Sequence, residues 1–242
     1  MKKSGLLFFT AIMILQGCTG EETHRLPAQE VYYKALMQFE EQSFKEAKIG
    51  FEKVIEENPG TRLATVSYLK LGDLNFAGTN WNEAETNYQA FLTHSPNSHL
   101  TPYVLSQLIS LNYQRNVQGV FFRSRNFDRD MEPNRKIIEE YQRFFFLYAN
   151  NAYLQDTKEF LSRAQNDLAE HEFLVGNFYF EHKAYDSAIL RYLHLLKTYS
   201  QFPRVKEVGL RLVEAYKANQ QPHLAKEMQK AIEVRFAPSR NP

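Results

Sequence analysis

The chain has 242 residues, of which 29 are lysine or arginine and 28 are aspartate or glutamate, and 43% of its residues are hydrophobic. Nucleic-acid binding depends on an excess of basic side chains that neutralise phosphates, and this charge balance supplies no such excess. The hydrophobic fraction is ordinary for a globular protein, and a chain of this length can bury a large core. The composition therefore argues against nucleic acid as a partner and favours a fold that needs no disulfide or metal.

The first 17 residues have the composition of a signal peptide. Two lysines, Lys2 and Lys3, precede an uncharged apolar run from Leu6 to Leu15. A transmembrane helix needs about 20 apolar residues, so this run is short for a membrane span and is typical of a secretory signal. We predict that residues 1–17 are removed from the mature protein.

Cys18 follows that run directly and is the only cysteine in the chain. The sequence Leu15-Gln16-Gly17-Cys18 resembles a bacterial lipobox, although glutamine stands where a small residue is usual. A buried apolar cysteine is the alternative, but the position favours lipidation, and more than one acyl chain is enough for stable anchoring. The residue after Cys18 is Thr19. An aspartate at this position would resemble an inner-membrane retention signal. Because it is absent, we expect the protein to be anchored in the outer membrane and to face the periplasm.

Beyond a linker at residues 18–29, the chain shows a helical repeat over residues 30–236, followed by a short tail at 237–242. The clearest unit places aromatic, small and turn-forming residues at Tyr68, Leu71, Gly72, Phe76, Trp81, Ala84, Tyr88, Phe91, Leu92 and Pro96. This spacing resembles the tetratricopeptide repeat of about 34 residues, which is a pair of antiparallel helices. Aromatic residues at these positions, including Trp81, Tyr88 and Tyr192, are predicted to lie in the core.

The same pattern recurs along the chain and predicts an all-α tetratricopeptide-repeat solenoid of five helix pairs, about ten helices. The N-terminal repeats cover residues 30–115, an irregular third repeat with an insert covers 116–150, and the C-terminal repeats cover 151–236. In the third repeat the predicted helices are 100–115 and 133–148. The absence of proline between Ala152 and His182 predicts one long helix there.

The first helices of such a solenoid line a concave groove. First-helix residues that fall near groove-facing positions are Tyr32, Phe39, Asp73, Phe76 and Tyr113. A groove with apolar and acidic patches suits an extended or helical peptide. We therefore predict a peptide-binding groove on the N-terminal repeats.

Sites of catalysis or metal binding are not indicated by the sequence. The seven histidines lack the spacing of a zinc-protease helix, and no phosphate-binding glycine loop or nucleophile elbow occurs. We expect no enzymatic activity and no cofactor beyond the lipid on Cys18. The insert from Phe121 to Asp130 mixes phenylalanine, arginine and aspartate, and two interpretations stay open: an ordered loop that fills the core, or a surface for a partner.

A family resemblance rests on four features together: the lipobox, the five repeats, Gly119 with a pair of phenylalanines, and then Asp128-Arg129-Asp130 before a helix. These features resemble the BamD family, the lipoprotein subunit of the β-barrel assembly machinery of the outer membrane. The resemblance covers the whole mature chain. Ala149 and Ser200 depart from it, because they stand where the repeat's terminal proline is common.

The resemblance implies a non-catalytic scaffold. Its N-terminal repeats would bind unfolded precursors of outer-membrane proteins, and its C-terminal repeats would dock on the periplasmic domains of the barrel subunit BamA and face accessory Bam lipoproteins. Arg191 matches an arginine used at the BamA contact, and Asp128, Arg129 and Asp130 are candidate partner-binding residues. A solvated helix arginine is the alternative for Arg191. A pilus-secretin pilot or a cell-envelope coordination scaffold is the alternative for the whole chain.

Overall fold

The computed structural model describes residues 27–122 and 130–237. Those ranges contain eleven α-helices and no strand: α1 Ala28–Glu40, α2 Phe44–Glu57, α3 Arg62–Ala77, α4 Trp81–His94, α5 Thr101–Phe122, α6 Glu132–Tyr148, α7 Ala152–Asp156, α8 Lys158–Glu181, α9 Tyr185–Thr198, α10 Val205–Ala218 and α11 Pro222–Arg235. Neighbouring helices pack as five pairs, α1 with α2, α3 with α4, α5 with α6, α8 with α9 and α10 with α11. The prediction of an all-α solenoid of five helix pairs is confirmed.

Four of the five pairs share one turn. In each of these turns the middle residue has a positive φ near 60°, namely Gln42, Thr79, Lys183 and Gln220. The next residue then donates its backbone N–H to a carbonyl five residues back, as Asn80 does to Asn75 at 2.8 Å. This bond satisfies a carbonyl that the helix end leaves free, so the left-handed residue closes the first helix and starts the second antiparallel to it.

Within two of the pairs, a tyrosine ring lies against a glycine. A Cβ atom placed on Gly72 would come within 2.5 Å of the Tyr88 ring, and one placed on Gly176 would come equally close to the ring of Tyr192. Both tyrosines are fully buried. The glycines are therefore required by the close approach of the paired helices, as the repeat pattern indicates.

The buried apolar residues form three clusters along the solenoid. One lies between α1, α2 and α3, a second runs from α3 to the first half of α8, and a third runs from the second half of α8 to α11. Ala164 belongs to the second cluster and Ala169 to the third. The long helix α8 therefore joins the two larger parts of the core.

Three details of the predicted elements need correction. The single helix expected from Ala152 to His182 is broken at Thr157, whose buried hydroxyl donates to the carbonyl of Leu154 at 2.8 Å. This local bond competes with a continuous helix. The first helix of the third repeat continues beyond Arg115 to Phe122. Trp81, expected in the core, is only partly buried and lies at the cluster's rim against Phe76, with ring centroids 5.4 Å apart.

Candidate functional site

Asp73, predicted to face the groove, lies at the junction of three helices. Its Oδ1 accepts hydrogen bonds from the hydroxyls of Tyr88 at 3.0 Å and Tyr103 at 2.9 Å, which come from α4 and α5. Lys70 Nζ lies 3.3 Å from its other oxygen. Only 11% of the Asp73 side chain is exposed. The carboxylate therefore links consecutive repeats, and little of it can reach a bound peptide.

Burial changes the pKa of Asp73 and of the two tyrosines that donate to it. Burial raises the pKa of the Asp73 carboxyl above its usual range, although Lys70 and the two tyrosine hydroxyls oppose that shift. Burial, with the nearby Asp73 charge second, raises the pKa of both Tyr88 and Tyr103. The tyrosines therefore stay protonated and act as donors to the carboxylate.

The same bond recurs in the fourth repeat, where Tyr192 donates to Asn177 Oδ1 at 2.7 Å. In both repeats the tyrosine follows its acceptor by 15 residues. Asn177 and Asp73 each come directly after the glycine that the tyrosine ring covers. The acceptor beside this glycine is thus a structural position of the repeat, filled by an acid in one copy and by an amide in another.

The other predicted groove residues are partly buried aromatics that also hold helices together. Tyr32 lies against Phe51, with ring centroids 5.8 Å apart, and Phe39 lies against Phe44 at 5.9 Å. Phe76 contacts the Trp81 ring as described above. The first two repeats therefore present aromatic edges whose rings are already fixed by neighbours.

Tyr113 lies further along the groove, on α5. Its ring stacks on Phe160 of α8 with centroids 4.4 Å apart, and its hydroxyl accepts a hydrogen bond from Arg163 at 2.7 Å. Side-chain bonds that cross from α5 to α8 fix the angle between the third and fourth repeats. Tyr113 therefore contributes to the junction as well as to the groove wall.

A second charge cluster, which is partly buried, joins α4, α5 and α6. Glu85 accepts from Arg115 at 2.6 Å and from Lys136 at 2.7 Å, and Arg115 also donates to Asn82 at 2.8 Å. Burial alone would raise the pKa of Glu85, but the hydrogen bonds and charges of Lys136 and Arg115 outweigh it and hold that pKa below its usual range. The cluster is built from oppositely charged partners, so it stabilises the second repeat against the irregular third.

Arg191 lies on the surface of α9. Its Nη1 contacts both carboxylate oxygens of Glu172 in α8, at 3.1 and 3.4 Å, and 44% of its side chain is exposed. Both contacts use the same nitrogen, so the rest of the guanidinium is available to a partner. Glu172 is mostly buried, and it holds the arginine in place.

Two apolar side chains on other faces of α9 are also exposed. Leu190 is 68% exposed and Leu193 is also exposed, whereas the packing positions Ala188, Tyr192 and Leu195 are fully buried. Residues one and two positions apart on a helix do not face each other, so these leucines do not share one surface with Arg191. The sequence analysis missed both leucines, although their position outside the buried register of α9 could have indicated them.

Of the candidate residues in the insert, Asp128 and Arg129 lie outside the described residues. Asp130 is described, is exposed, and accepts the backbone N–H of Glu132 at 2.9 Å through Oδ1. It thus satisfies a free donor at the start of α6. Cys18 also lies outside the described residues.

Metal-binding groups and membrane-spanning helices are the other two features of interest in the described residues. Over residues 27–122 and 130–237, no group of histidine, cysteine, aspartate and glutamate side chains is placed to hold a metal ion. None of the helices described in these ranges has both the length and the apolar character needed to cross a bilayer. The surfaces that stand out are the partly exposed aromatic edges of the first three repeats and the exposed surface of α9 around Arg191, here called the Arg191 face.

Comparison with known proteins identifies the family. The model of the family described as "YfiO: Outer membrane lipoprotein" matches residues 24–231. The outer membrane protein assembly factor BamD of Haemophilus influenzae is 25% identical over 251 aligned positions, covering 100% of this chain and 95% of that protein. BamD of Buchnera aphidicola is 24% identical, covering 96% of this chain and 97% of that protein.

Among solved structures, that of the MamA protein is similar with 15% identity and a TM-score of 0.38, covering 89% of this chain and 98% of that one. The family match spans all five helix pairs, and the two relatives align with it along almost their entire length. The chain therefore belongs to this family of outer membrane lipoproteins, the family of the BamD outer membrane protein assembly factors.

Proposed function

We propose that the chain is a non-catalytic scaffold for outer membrane protein assembly, held at the periplasmic face of the outer membrane by a lipid on Cys18. The observation that carries this proposal is the family match across residues 24–231, which includes every helix pair rather than a single repeat. A solenoid presents long, extended surfaces to its partners. Its function in this proposal is to bring a precursor and the barrel-forming subunit together.

The concave side of the N-terminal repeats is the proposed site for unfolded precursors. Tyr32, Phe39, Phe76 and Tyr113 supply partly exposed aromatic edges along it, and their rings are fixed before any peptide arrives. Rigid aromatic side chains lose little conformational entropy on binding. Asp73 holds this surface in shape, because its hydrogen bonds to Tyr88 and Tyr103 link two consecutive repeats.

The Arg191 face of the C-terminal repeats is the proposed docking surface for a BamA-like barrel subunit, with accessory Bam lipoproteins on neighbouring surfaces. Glu172 orients the guanidinium through Nη1 alone, and 44% of the Arg191 side chain stays exposed. A guanidinium can form two parallel hydrogen bonds with one carboxylate. A carboxylate on the partner subunit is therefore the group expected to meet Arg191.

Charge reversal tests this docking surface. Arg191→Glu should weaken binding of the barrel subunit's purified periplasmic domains by at least about 2 kcal/mol, roughly a 30-fold rise in Kd, because a desolvated pair becomes a repulsion. The measurement is isothermal titration calorimetry with the mature chain. Arg211→Glu is the matched control, since Arg211 has the same side-chain exposure and also pairs with a glutamate, Glu214.

A second comparison separates docking from a structural effect of the Arg191–Glu172 pair. Glu172→Gln removes the charge pair within the chain but keeps an amide oxygen that can accept from Arg191 Nη1, so Arg191 stays in place and the Kd should be nearly unchanged. If the pair matters only for the fold, Glu172→Gln and Arg191→Ala should weaken binding equally. Wild-type affinity for Arg191→Glu would show that the docking surface lies elsewhere.

Lipid attachment is tested separately. Metabolic labelling with a fatty-acid analogue should mark the wild-type protein, and Cys18→Ala should be unlabelled and absent from the outer membrane fraction, because Cys18 is the only cysteine in the chain. Each buried CH₂ of an acyl chain contributes about 0.8 kcal/mol, so losing the lipid removes the anchor. An unlabelled wild-type protein would contradict the proposed anchoring.

A further inference from the structure

The two ends of the helices define two edges of the solenoid. Because the helices of each pair are antiparallel, the first helices begin and the second helices end on one edge, here called the N-terminal edge. Contacts between helix ends agree with this: Arg235 at the end of α11 donates to the carbonyl of Ser200 after α9 at 3.0 Å. Tyr103 near the start of α5 lies 5.8 Å from Tyr153 of α7.

An exposed aromatic patch occupies this edge at the end of α6. It consists of Phe145, Phe146, Leu147 and, from α7, Tyr153, all exposed. Phe146 is 88% exposed, more than any other large apolar side chain of the described residues. Phe144, on the same helix, is fully buried, whereas the patch side chains lie outside the core. Several large apolar side chains exposed at one end of a helix indicate a contact with a partner or a membrane.

The chain also leaves the solenoid from this edge. Pro27 caps the start of α1, and only nine peptide units (27 − 18 = 9) separate it from Cys18. A fully extended segment of that length spans at most about 30 Å. A lipid on Cys18 would therefore keep the start of α1 within that distance of the bilayer surface, and the aromatic patch lies on the same edge of the solenoid as that helix start.

We propose that the aromatic patch at the end of α6 inserts into the headgroup region of the bilayer that holds the lipid of Cys18. This inference rests on the proposed lipid anchoring. Aromatic side chains are favoured at the boundary between water and hydrocarbon, and a second contact beside an acyl anchor strengthens membrane attachment. The charges near the patch allow it: Asn150 and Asn151 after it are neutral, and Arg143 before it lies 3.6 Å from Glu140.

The bilayer contact would also set the orientation of the solenoid relative to the membrane. A single lipid on a nine-residue tether leaves the solenoid free to rotate, whereas a second contact on the third repeat sets which edge faces the membrane. The convex and concave sides then stand away from the bilayer, and the N-terminal groove and the Arg191 face stay open to other proteins.

Depth-dependent fluorescence quenching tests this contact. The mature full-length chain is coupled through its own Cys18 thiol to a maleimide lipid in vesicles of phosphatidylethanolamine and phosphatidylglycerol that contain brominated phosphatidylcholine. Trp81, the only tryptophan, is replaced in W81F, and a reporter is introduced as F146W. The matched control is W81F with F44W, because Phe44 is also exposed but starts α2 on the opposite edge.

We expect the emission of the F146W reporter to shift to shorter wavelength on tethering and to lose a large part of its intensity to the brominated lipid, while the F44W reporter changes little. Equal and small quenching of both reporters would overturn the proposal. If F146W is not quenched while Phe146→Ser weakens binding to the barrel subunit's periplasmic domains, the patch is a protein interface and the bilayer proposal is wrong.

The chemical tether makes this result independent of processing in cells. If metabolic labelling finds no lipid on Cys18, the proposed anchoring fails, but quenching of F146W on tethered vesicles still shows whether the patch enters a bilayer. If labelling succeeds and F146W is not quenched, only the bilayer contact fails.

Discussion

At the scale of single residues, Asp73 illustrates how an acid at a groove position becomes a structural group. Sequence spacing placed it correctly on α3, but spacing gives no information about the hydroxyl groups that approach from α4 and α5. Tyr88 and Tyr103 both donate to it, and its side chain is almost fully covered. Asn177 in the fourth repeat shows that an amide oxygen can accept the same bond.

Asp73→Asn should retain most of the stability, whereas Asp73→Ala should cost about 1 to 3 kcal/mol because two buried hydroxyls lose their acceptor. The pH dependence gives a second readout. Burial raises the pKa of Asp73 in the folded state, so the folded state binds this proton more tightly than the unfolded state does. The contribution of Asp73 to wild-type stability should therefore be fully present below the ordinary aspartate pKa and be lost as pH rises through the raised pKa of the folded state, and Asp73→Asn should remove this dependence on pH.

Urea denaturation of the wild type and both variants, at neutral pH and at mildly acidic pH, measures these differences. The relevant quantity is the difference between wild type and Asp73→Asn at each pH, since other carboxylates titrate in all three proteins. A difference that does not change with pH would show that Asp73 ionises as it does in the unfolded chain.

At the scale of the helix pairs, the repeat is built on a tyrosine ring packed on a glycine. Gly72→Ala should destabilise the protein by about 1 to 3 kcal/mol, because the added methyl would meet the fully buried ring of Tyr88. Gly78→Ala is the control: that glycine is exposed in the turn after α3, and its Cβ would come no closer than 3.2 Å to the Asn80 side chain. Thermal unfolding compares the two, and equal midpoints would mean that the ring moves aside at little cost.

The helix pairs could be predicted from the sequence because glycine, alanine and aromatic residues recur at fixed spacing, and that spacing follows from helix packing. The break at Thr157 could not, because it depends on a buried hydroxyl that bonds to Leu154 and leaves no proline or glycine as a signal. Trp81 occupies a core position of the repeat but lies at the rim of the cluster. The candidate site was less predictable still: Arg191 was recognised by family resemblance, whereas its partner Glu172 lies 19 residues away on another helix.

At the scale of the whole molecule, the solenoid separates its surfaces. The aromatic edges of the groove lie on the N-terminal repeats, the Arg191 face lies on the fourth repeat, and α8 connects the core clusters that support them. In the proposed function, a precursor and the barrel subunit would therefore bind to different residues at the same time. The proposed bilayer contact would orient this arrangement relative to the membrane.

Affinity purification of the tagged wild-type chain from detergent-solubilised outer membranes tests the central claim most directly, because it asks which proteins the scaffold holds in the cell. The account predicts recovery of the barrel-forming subunit of the assembly machinery with the wild-type chain and a marked loss of it with Arg191→Glu, but not with Arg211→Glu. Recovery of a pilus secretin without any barrel-assembly subunit would contradict the account and would identify the chain as a different outer-membrane scaffold.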